Sequence, residues 1–349
     1  MGLDQRGGWA DILGRITDGE DLDRDAAYAA MSEILSGEAT PAQIAAFAVG
    51  LRMKGETVEE LGGLLDAMRD ASTRVSLPDD LDAVDIVGTG GDRSSSINVS
   101  TIAAFVVAGA GAPVCKHGNR AASSACGAAD LLEALGVTIE LGPEGVAACV
   151  QEAGMGFCFA PRFHPAMRHA GPPRRELGIP TAFNFLGPMA NPAAVRRQLV
   201  GVSDARMADR MAAVLSDGGS RRALIVYGHD GLDELTTTTT STIVDLGEDE
   251  VRTYEVDPGA LGFEAADPEA LKGGDPAANA AAARRVLAGE PGAHRDVVVL
   301  NAAAGLVAAG VAASVAEGIP LASASIDDGA AAGVLERLVV SSGAHAEQG

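Results

Sequence analysis

The run Asp85-Ile-Val-Gly-Thr-Gly-Gly-Asp92 has the pattern of a short apolar strand that ends in a glycine-rich loop. Glycine lets backbone N–H groups approach a bound anion closely, and a helix that begins nearby adds a favourable dipole. The run is not a dinucleotide fingerprint, because Arg93 stands where the third glycine is needed, and no Walker Gly-Lys-Ser/Thr follows. From this run alone, a phosphate-binding loop and an ordinary tight turn both remain open.

The chain on both sides of this loop alternates between predicted strands and helices. Such alternation predicts an α/β fold in which helices flank a mainly parallel sheet. The strands are expected at 84–87, 113–116, 137–141, 156–160, 198–202 and 223–227. The helices between them are expected at 98–108, 128–135, 144–153 and 205–215. The threonine run 236–240 is expected to form a strand or a loop.

The N-terminal part of the chain carries helix start signals instead. Thr40 with Gln43, and Thr57 with Glu60, have the spacing of a capping box. We therefore expect a small helical domain over residues 1–76 and a large α/β domain over residues 77–349. A Pro-, His- and Arg-rich crossover at about 163–192 interrupts the strand–helix alternation, and is expected to pack on the small domain or to link to it.

The composition limits the classes of partner. The 349 residues carry 26 Lys and Arg against 48 Asp and Glu, a formal net charge of −22. That charge repels phosphate backbones and argues against nucleic acid as a partner, although it permits a locally basic pocket for an anionic metabolite. The four cysteines show no C-x-x-C spacing, and we expect them to be buried and reduced.

No signal sequence or membrane span is evident. Residues 1–10 lack a basic region followed by an apolar one. The most apolar stretch, 297–313, is short for a bilayer and contains Asn301, so it fits a buried helix better. We therefore expect a soluble, cytoplasmic protein with no membrane partner.

Two further polar segments follow predicted strands. Asn98-Val-Ser-Thr101 opens a helix, where its side chains can cap, hold phosphate or meet a hydrated cation; taken alone, a plain N-cap is favoured. Lys116-His-Gly-Asn-Arg120 leaves the next strand and leads into Ser123 and Ser124. Open α/β sheets bind ligands at the carboxyl ends of their strands, so two such loops suit a molecule with two phosphate ends.

These segments and four later ones make the sequence resemble the anthranilate phosphoribosyltransferase family. The later segments are His164-Pro-Ala-Met-Arg168, Arg174-Arg-Glu-Leu-Gly178, Phe183-Asn-Phe-Leu-Gly-Pro188 and Asp230-Gly-Leu-Asp-Glu234. The resemblance implies a nucleoside phosphorylase/phosphoribosyltransferase-like fold and a homodimer formed through the small domain. It also implies Mg²⁺-dependent transfer of 5-phosphoribose from 5-phosphoribosyl 1-diphosphate to the amine of anthranilate, in tryptophan biosynthesis, with two Mg²⁺ ions.

The resemblance assigns site residues position by position. Those for phosphoribosyl diphosphate are Gly88, Gly91, Asp92, Ser96, Asn98, Val99, Ser100, Thr101, Lys116, His117, Gly118, Asn119, Arg120, Ala121, Ala122, Ser123 and Ser124. Those for anthranilate are Gly88, Asn119 and Arg174, and those for Mg²⁺ are Ser100, Asp233 and Glu234. The chain departs from the family pattern at Ala121, Ala122, Ala125, Cys126 and Ala128, where alanine or cysteine replaces polar residues, and at Pro173.

The residue types suit this chemistry. Pyrophosphate leaves the anomeric carbon while positive charge develops on the sugar, so the site must hold phosphates, neutralise the leaving group and position the amine. Asp233 and Glu234 offer the hard oxygen ligands that Mg²⁺ prefers, although an isolated acidic pair in so acidic a chain is more often a solvated turn. Arg174 can clamp a carboxylate through two hydrogen bonds. No covalent nucleophile is expected.

Several neighbouring residues are given lesser roles, and two other functions stay open. Arg175 is expected to face solvent or Glu176, His117 to orient substrate, and His164 and His169 to be structural. One alternative is a pyrimidine nucleoside phosphorylase of the same fold. The other is a non-catalytic relative that binds nucleic acid.

Overall fold

The computed structural model of the chain describes residues 2–121, 125–247 and 250–346. Four helices come first, and both predicted capping boxes are complete. α2 and α4 lie against each other at Gly63, where an added Cβ would sit 2.1 Å from the Arg24 carbonyl oxygen. The helices are α1 (Gly8–Thr17), α2 (Arg24–Ser36), α3 (Pro41–Lys54) and α4 (Val58–Asp70).

A seven-stranded sheet follows, with the order β3-β2-β1-β4-β5-β6-β7. The first five strands in the chain run parallel, and β6 and β7 continue the sheet antiparallel, so the predicted mainly parallel sheet is confirmed. The strands are β1 (Val84–Gly88), β2 (Val114–Gly118), β3 (Met155–Phe159), β4 (Arg197–Gly201), β5 (Arg222–Gly228), β6 (Ser241–Leu246) and β7 (Val251–Val256). The strand order reverses between β1 and β4, which is where open sheets of this kind bind ligands.

Helices cover both faces of the sheet, and one of them is the buried helix expected near 297–313. The helices are α5 (Val99–Gly109), α6 (Ala128–Leu135), α7 (Pro143–Ala153), α8 (Ala160–Phe163), α9 (Gly171–Leu177), α10 (Ala182–Met189), α11 (Ala208–Asp217), α12 (Pro276–Leu287), α13 (Ala293–Ala309), α14 (Val315–Asp327) and α15 (Ala330–His345). Among the described residues, none of the helices is long and apolar enough to span a bilayer. The four cysteines are buried, as predicted.

The crossover contains α8, α9 and α10 and touches the N-terminal helices at both ends of α10. Arg52 donates to the Pro180 carbonyl at 2.5 Å, and Arg69 donates to the Met189 carbonyl at 2.9 Å. The Thr73 N–H donates to the Phe163 carbonyl at 2.8 Å. These hydrogen bonds tie the crossover to α3, α4 and the segment that follows them.

The predicted strand at 137–141 is wrong. Val137, Ile139 and Leu141 are buried in alternation, which produces the period of a strand, but this segment has no partner strand in the sheet. The Thr138 N–H instead donates to Ser342 Oγ of α15 at 3.0 Å. The segment is therefore a connection that packs on a helix. The threonine run 236–240 forms a loop rather than a strand.

Candidate active site

The glycine loop after β1 lies at the point where the strand order reverses. Gly90 and Gly91 have φ values of +65° and +86°, a backbone conformation that favours glycine. An added Cβ at Gly88 would lie 2.7 Å from Asp233 Oδ2, and one at Gly201 would lie 1.7 Å from the Asp233 carbonyl oxygen. Glycines at the ends of β1 and β4 thus let the loop that carries Asp233 lie directly against the sheet edge.

Asp233 and Glu234 are buried, with exposed fractions of 8% and 7%. Asp233 Oδ2 accepts a hydrogen bond from the Gly90 N–H at 2.7 Å. Glu234 Oε1 accepts one from the Ser100 N–H at 3.2 Å, in the first turn of α5. The pair therefore joins the glycine loop to the α5 N-terminus, and the interpretation as a solvated acidic turn is wrong.

Burial sets the protonation of this acidic centre. It raises the pKa of Asp233 to about 7, an effect to which the nearby Asp92 carboxylate adds. Burial and the neighbouring Asp233 raise the pKa of Glu234 well above its ordinary value. The Lys116 ammonium is also buried, which lowers its pKa; it contacts the Ile86 carbonyl and lies 3.4 Å from Ser100 Oγ. Burial thus disfavours the charged forms of Asp233, Glu234 and Lys116.

A second buried acid, Asp85, supports the site from within β1. Its carboxylate accepts hydrogen bonds from the His117 N–H at 3.0 Å and from Asn191 Nδ2 at 2.8 Å. Burial raises its pKa to about 6. Asn191 Nδ2 also donates to the Cys115 carbonyl at 2.8 Å, so the pair fixes the end of β2 against β1. We did not predict Asp85 from the sequence, although an acid in the middle of an apolar strand was the available signal.

His117 and His164 form a pair of neutral imidazoles, with ring centroids 5.0 Å apart. Burial lowers the pKa of His117 to about 3 and that of His164 to about 4. His117 Nδ1–H donates to the Gly187 carbonyl at 3.0 Å, and His164 Nε2–H donates to the Ala190 carbonyl at 2.9 Å. Each ring thus keeps one buried acceptor nitrogen, and neither nitrogen has a hydrogen-bond partner in the described part of the chain.

Arg174 lies on α9, with its guanidinium 5.7 Å from the ring centroid of Phe183. The side chain is half-buried, and burial lowers its pKa. No carboxylate of the described residues forms an ion pair with it. Phe183 and Gly187 lie one turn apart on α10, so this helix contacts both Arg174 and His117. Arg175 is exposed, as predicted.

Comparisons with known proteins agree with this geometry. A glycosyl transferase family matches through its helical bundle domain over residues 10–72 and its a/b domain over residues 80–332. An anthranilate phosphoribosyltransferase from Bradyrhizobium sp. (strain ORS 278) is 52% identical over 94% of this chain and 97% of that protein. The crystal structure of the Thermus thermophilus anthranilate phosphoribosyltransferase matches with a TM-score of 0.90 and 43% identity, covering 95% of this chain and 99% of that one.

The chain belongs to the anthranilate phosphoribosyltransferase family. A yeast member, solved in complex with PRPP and Mg, matches with a TM-score of 0.88 and 29% identity over 96% of this chain and 98% of that one. Membership confirms the predicted fold class. It also decides against the nucleoside phosphorylase and the nucleic-acid-binding relative.

Not every residue that the family resemblance selects faces the acidic centre. Asn98 stands at the α5 N-cap, but its side chain makes no capping hydrogen bond; its Nδ2 donates to the Cys126 carbonyl at 3.0 Å. The plain N-cap interpretation is therefore wrong. The Arg120 guanidinium is paired with Asp130 at 2.9 Å and with Glu133. Ala122, Ser123 and Ser124 lie outside the described residues.

The remaining predicted residues line the same strand ends. Ser96 forms an isolated bridge with Lys272, and Asn119 is exposed, with its Oδ1 accepting from the Arg120 N–H at 2.7 Å. Val99 and Thr101 are buried in the first turn of α5. Most of the predicted set thus lies on the β1–α5 and β2–α6 connections.

The metal that this family implies fits the donor set. In the described part of the chain, no group of three or more His, Cys, Asp or Glu side chains is placed to hold a metal ion by itself. Mg²⁺ does not need such a group, because it keeps several waters and takes substrate phosphate oxygens as ligands. Asp233 and Glu234, whose pKa values are raised by burial and by neighbouring carboxylates, would offer hard oxygen donors to such an ion.

Proposed function

We propose that this site makes the chain a cytoplasmic enzyme of tryptophan biosynthesis that transfers 5-phosphoribose from 5-phosphoribosyl 1-diphosphate to the amine of anthranilate. The observation that carries the proposal is the buried Asp233–Glu234 pair, which is hydrogen-bonded to both the glycine loop and the α5 N-terminus at the sheet's switch point. Backbone N–H groups, a helix dipole and a Mg²⁺-binding acidic pair at one place suit a diphosphate.

The donor substrate is assigned to the β1 and β2 strand ends. In this proposal the phosphates are bound by the Gly88–Thr101 segment and by the polar residues at the end of β2, beginning with Lys116. Asp233, Glu234 and Ser100 would hold Mg²⁺, with two ions in all, and the metal would neutralise charge on the departing pyrophosphate. The yeast relative that was solved with PRPP and Mg supports this assignment.

The acceptor substrate is assigned to the crossover side, on Arg174, Asn119 and Gly88. The half-buried Arg174 guanidinium, which has Phe183 beside it and no ion-pair partner in the described part of the chain, suits the carboxylate of anthranilate. His117 and His164 each keep a buried acceptor nitrogen that has no hydrogen-bond partner in the described part of the chain, and a neutral imidazole adds no positive charge beside Gly187 and Ala190. A yeast relative in complex with 4-fluoroanthranilate supports an acceptor site in this fold.

The reaction needs positioning rather than a covalent intermediate. The bond from the anomeric carbon to the pyrophosphate oxygen breaks, and pyrophosphate keeps the electron pair. The anthranilate nitrogen forms a new bond to the same carbon and loses one proton, which the departing pyrophosphate or water accepts. The site contributes by holding the amine against that carbon and by stabilising the charge that leaves.

Anthranilate fluorescence tests the proposal directly. We expect the fluorescence to disappear only when both phosphoribosyl diphosphate and Mg²⁺ are present, since the product no longer has the free amine. Omitting either component is the control, and phosphate-dependent cleavage of thymidine or uridine should not occur. Unchanged fluorescence with folded protein and both components would refute the assignment.

The homodimer is also proposed, through the small helical domain. Met53 on α3 is 83% exposed, and Ile179 in the adjoining crossover is 45% exposed. Arg52, next to Met53, donates to the carbonyl of Pro180, next to Ile179, so the two exposed apolar residues lie on contacting segments. Light scattering should give the mass of a dimer, and Met53→Glu should lower it. Val340→Glu changes another strongly exposed apolar residue, on α15, and should leave the mass unchanged, whereas a monomeric parent protein would refute the dimer.

A further inference from the structure

Asn301 is a buried amide in the apolar helix α13. Its exposed fraction is 0%, and so are those of Val298, Leu300 and Ala302 around it. Its Oδ1 accepts a hydrogen bond from the Leu235 N–H at 2.9 Å. Its Nδ2 donates to the Leu235 carbonyl at 2.7 Å and to the Val297 carbonyl of its own helix at 2.8 Å. One side chain thus binds both backbone groups of a single residue in another segment.

That residue directly follows the acidic pair. Leu235 comes immediately after Asp233 and Glu234, and it is itself fully buried. A buried amide is costly unless its donors and acceptor are paired, and here they are. Because α13 is a long helix packed on the sheet, the two hydrogen bonds fix the Leu235 backbone to a rigid element.

The rest of the loop is tied chiefly to itself. The Asp230 carboxylate accepts hydrogen bonds from the Leu232 N–H at 3.1 Å, from Thr236 Oγ1 at 2.8 Å and from Thr238 Oγ1. These contacts close the loop internally but do not place it relative to the helices on the sheet. The Asn301 contact does, at the position next to the acidic pair.

We infer that Asn301 is a positioning residue for the metal-holding carboxylates: by binding both backbone groups of Leu235 it sets where Asp233 and Glu234 point. The inference rests on the proposed function, in which these carboxylates hold Mg²⁺. Partners behind metal ligands orient those ligands, and their loss commonly costs about 10–100-fold in metal affinity.

The test measures binding of Mn²⁺, a paramagnetic stand-in for Mg²⁺, by electron paramagnetic resonance with phosphoribosyl diphosphate present. Asn301→Leu should weaken Mn²⁺ binding by about tenfold or more and speed amide hydrogen exchange in residues 229–240. Its Michaelis constant for anthranilate should stay nearly constant. Asn301→Asp keeps one acceptor and one donor in its neutral form, so its Mn²⁺ affinity should fall less. If the leucine variant does not fold, the aspartate variant is the one to measure.

Ser342→Ala is the matched control. Ser342 is also fully buried on a helix and also binds a backbone N–H of a connection, that of Thr138, at 3.0 Å. The Ser342→Ala substitution should lower the melting temperature without changing Mn²⁺ binding. Mn²⁺ binding within twofold of the parent protein in both Asn301 variants, or an equal loss in Ser342→Ala, would overturn the inference. The proposed function is tested apart from it: Asp233→Ala must weaken Mn²⁺ binding in the otherwise unchanged chain.

Discussion

The Asp233–Glu234 side and the Arg174 side of the candidate site are built by opposite means. Around Asp233 and Glu234, charged groups are crowded and buried, and each carboxylate is held by a backbone N–H. On the crossover side, the half-buried Arg174 cation lies against the Phe183 ring of α10, and the same helix contacts His117, which burial keeps neutral. One side buries carboxyl groups whose ionised forms are disfavoured, whereas the other presents a half-buried cation that has no ion-pair partner among the described residues.

This difference matches what the two substrates bring. Mg²⁺ that binds together with a diphosphate can offset the free-energy cost of burying two ionised carboxylates, because the metal supplies the positive charge that they lack. An aromatic amine with one carboxylate needs one cation, an apolar wall and acceptors that do not protonate it. Damage on the acidic side should therefore affect the departure of pyrophosphate, and damage on the Arg174 side should affect recognition of the acceptor.

The largest effect is expected from Asp233→Ala combined with Glu234→Ala. Without these ligands the leaving pyrophosphate loses its metal-assisted stabilisation, so we expect kcat to fall by about 100-fold or more. The Michaelis constant for anthranilate should change much less. Steady-state kinetics at saturating Mg²⁺, with circular dichroism to check the fold, measures this. A fully active double variant would rule out the metal role of the pair.

A smaller and different effect is expected from Arg174→Ala. Loss of a charged, paired hydrogen-bond clamp costs about 1.5–3 kcal/mol. That cost should appear mainly as a higher Michaelis constant for anthranilate, with little change in the constant for phosphoribosyl diphosphate. Arg175→Ala is the matched control, because this neighbouring guanidinium is exposed and should tolerate the change. An unaltered anthranilate constant in Arg174→Ala would remove the clamp from the mechanism.

Much of the fold could be predicted from local signals. The capping boxes at Thr40 and Thr57 act within one helical turn, and the parallel strands are short segments rich in apolar residues, so both are visible in the sequence. The segment 137–141 shows the limit of this approach. Its alternating burial comes from packing against α15, which is distant in the chain. An alternating hydrophobic pattern alone cannot distinguish a segment that packs on a helix from a strand in a sheet. β6 and β7 were missed, and β7 is mostly exposed, so it lacks the apolar signal of a core strand.

The site was predicted unevenly for the same reason. Asp233 and Glu234 are adjacent in a recognisable motif, so their joint role needs no knowledge of the fold. Asp85 and Asn301 act through residues far away in the chain, at His117 and Leu235, and only the three-dimensional structure shows these contacts. In the sequence, Asn301 is merely a polar residue that interrupts an apolar stretch.

An effect on stability rather than rate is expected from Asp233→Asn. Burial raises the folded-state pKa of Asp233 from 3.8 to about 7, so this carboxyl favours folding when protonated. Its contribution is complete below pH 4 and is lost as the pH rises to about 7 and above. At pH 8 and without ligands, the variant should therefore melt a few degrees (~2–4 °C per kcal/mol) above the parent protein.

The same comparison at pH 4 provides the control, because the parent carboxyl is then protonated and the two melting temperatures should be close. Mg²⁺ with phosphoribosyl diphosphate should reverse the order at pH 8 by stabilising only the parent. Scanning calorimetry at both pH values measures the differences. If the variant melts below its parent at pH 8 without ligands, burial of the ionised Asp233 does not destabilise the fold.

The smallest effect concerns Arg120, whose guanidinium is held by Asp130 at 2.9 Å and by Glu133. An exposed ion pair of this kind is worth about 0–1 kcal/mol. If Arg120 must leave Glu133 to reach a phosphate, Glu133→Gln lowers the Michaelis constant for phosphoribosyl diphosphate by at most about fivefold, and more clearly at low ionic strength. Glu250→Gln, which breaks the exposed pair with Arg252 at 3.1 Å, is the control and should change neither constant. If the Michaelis constant for phosphoribosyl diphosphate stays the same or rises in Glu133→Gln, the role of Arg120 is to hold the loop through its ion pair with Asp130. Phosphate binding on this side would then be assigned to backbone N–H groups alone.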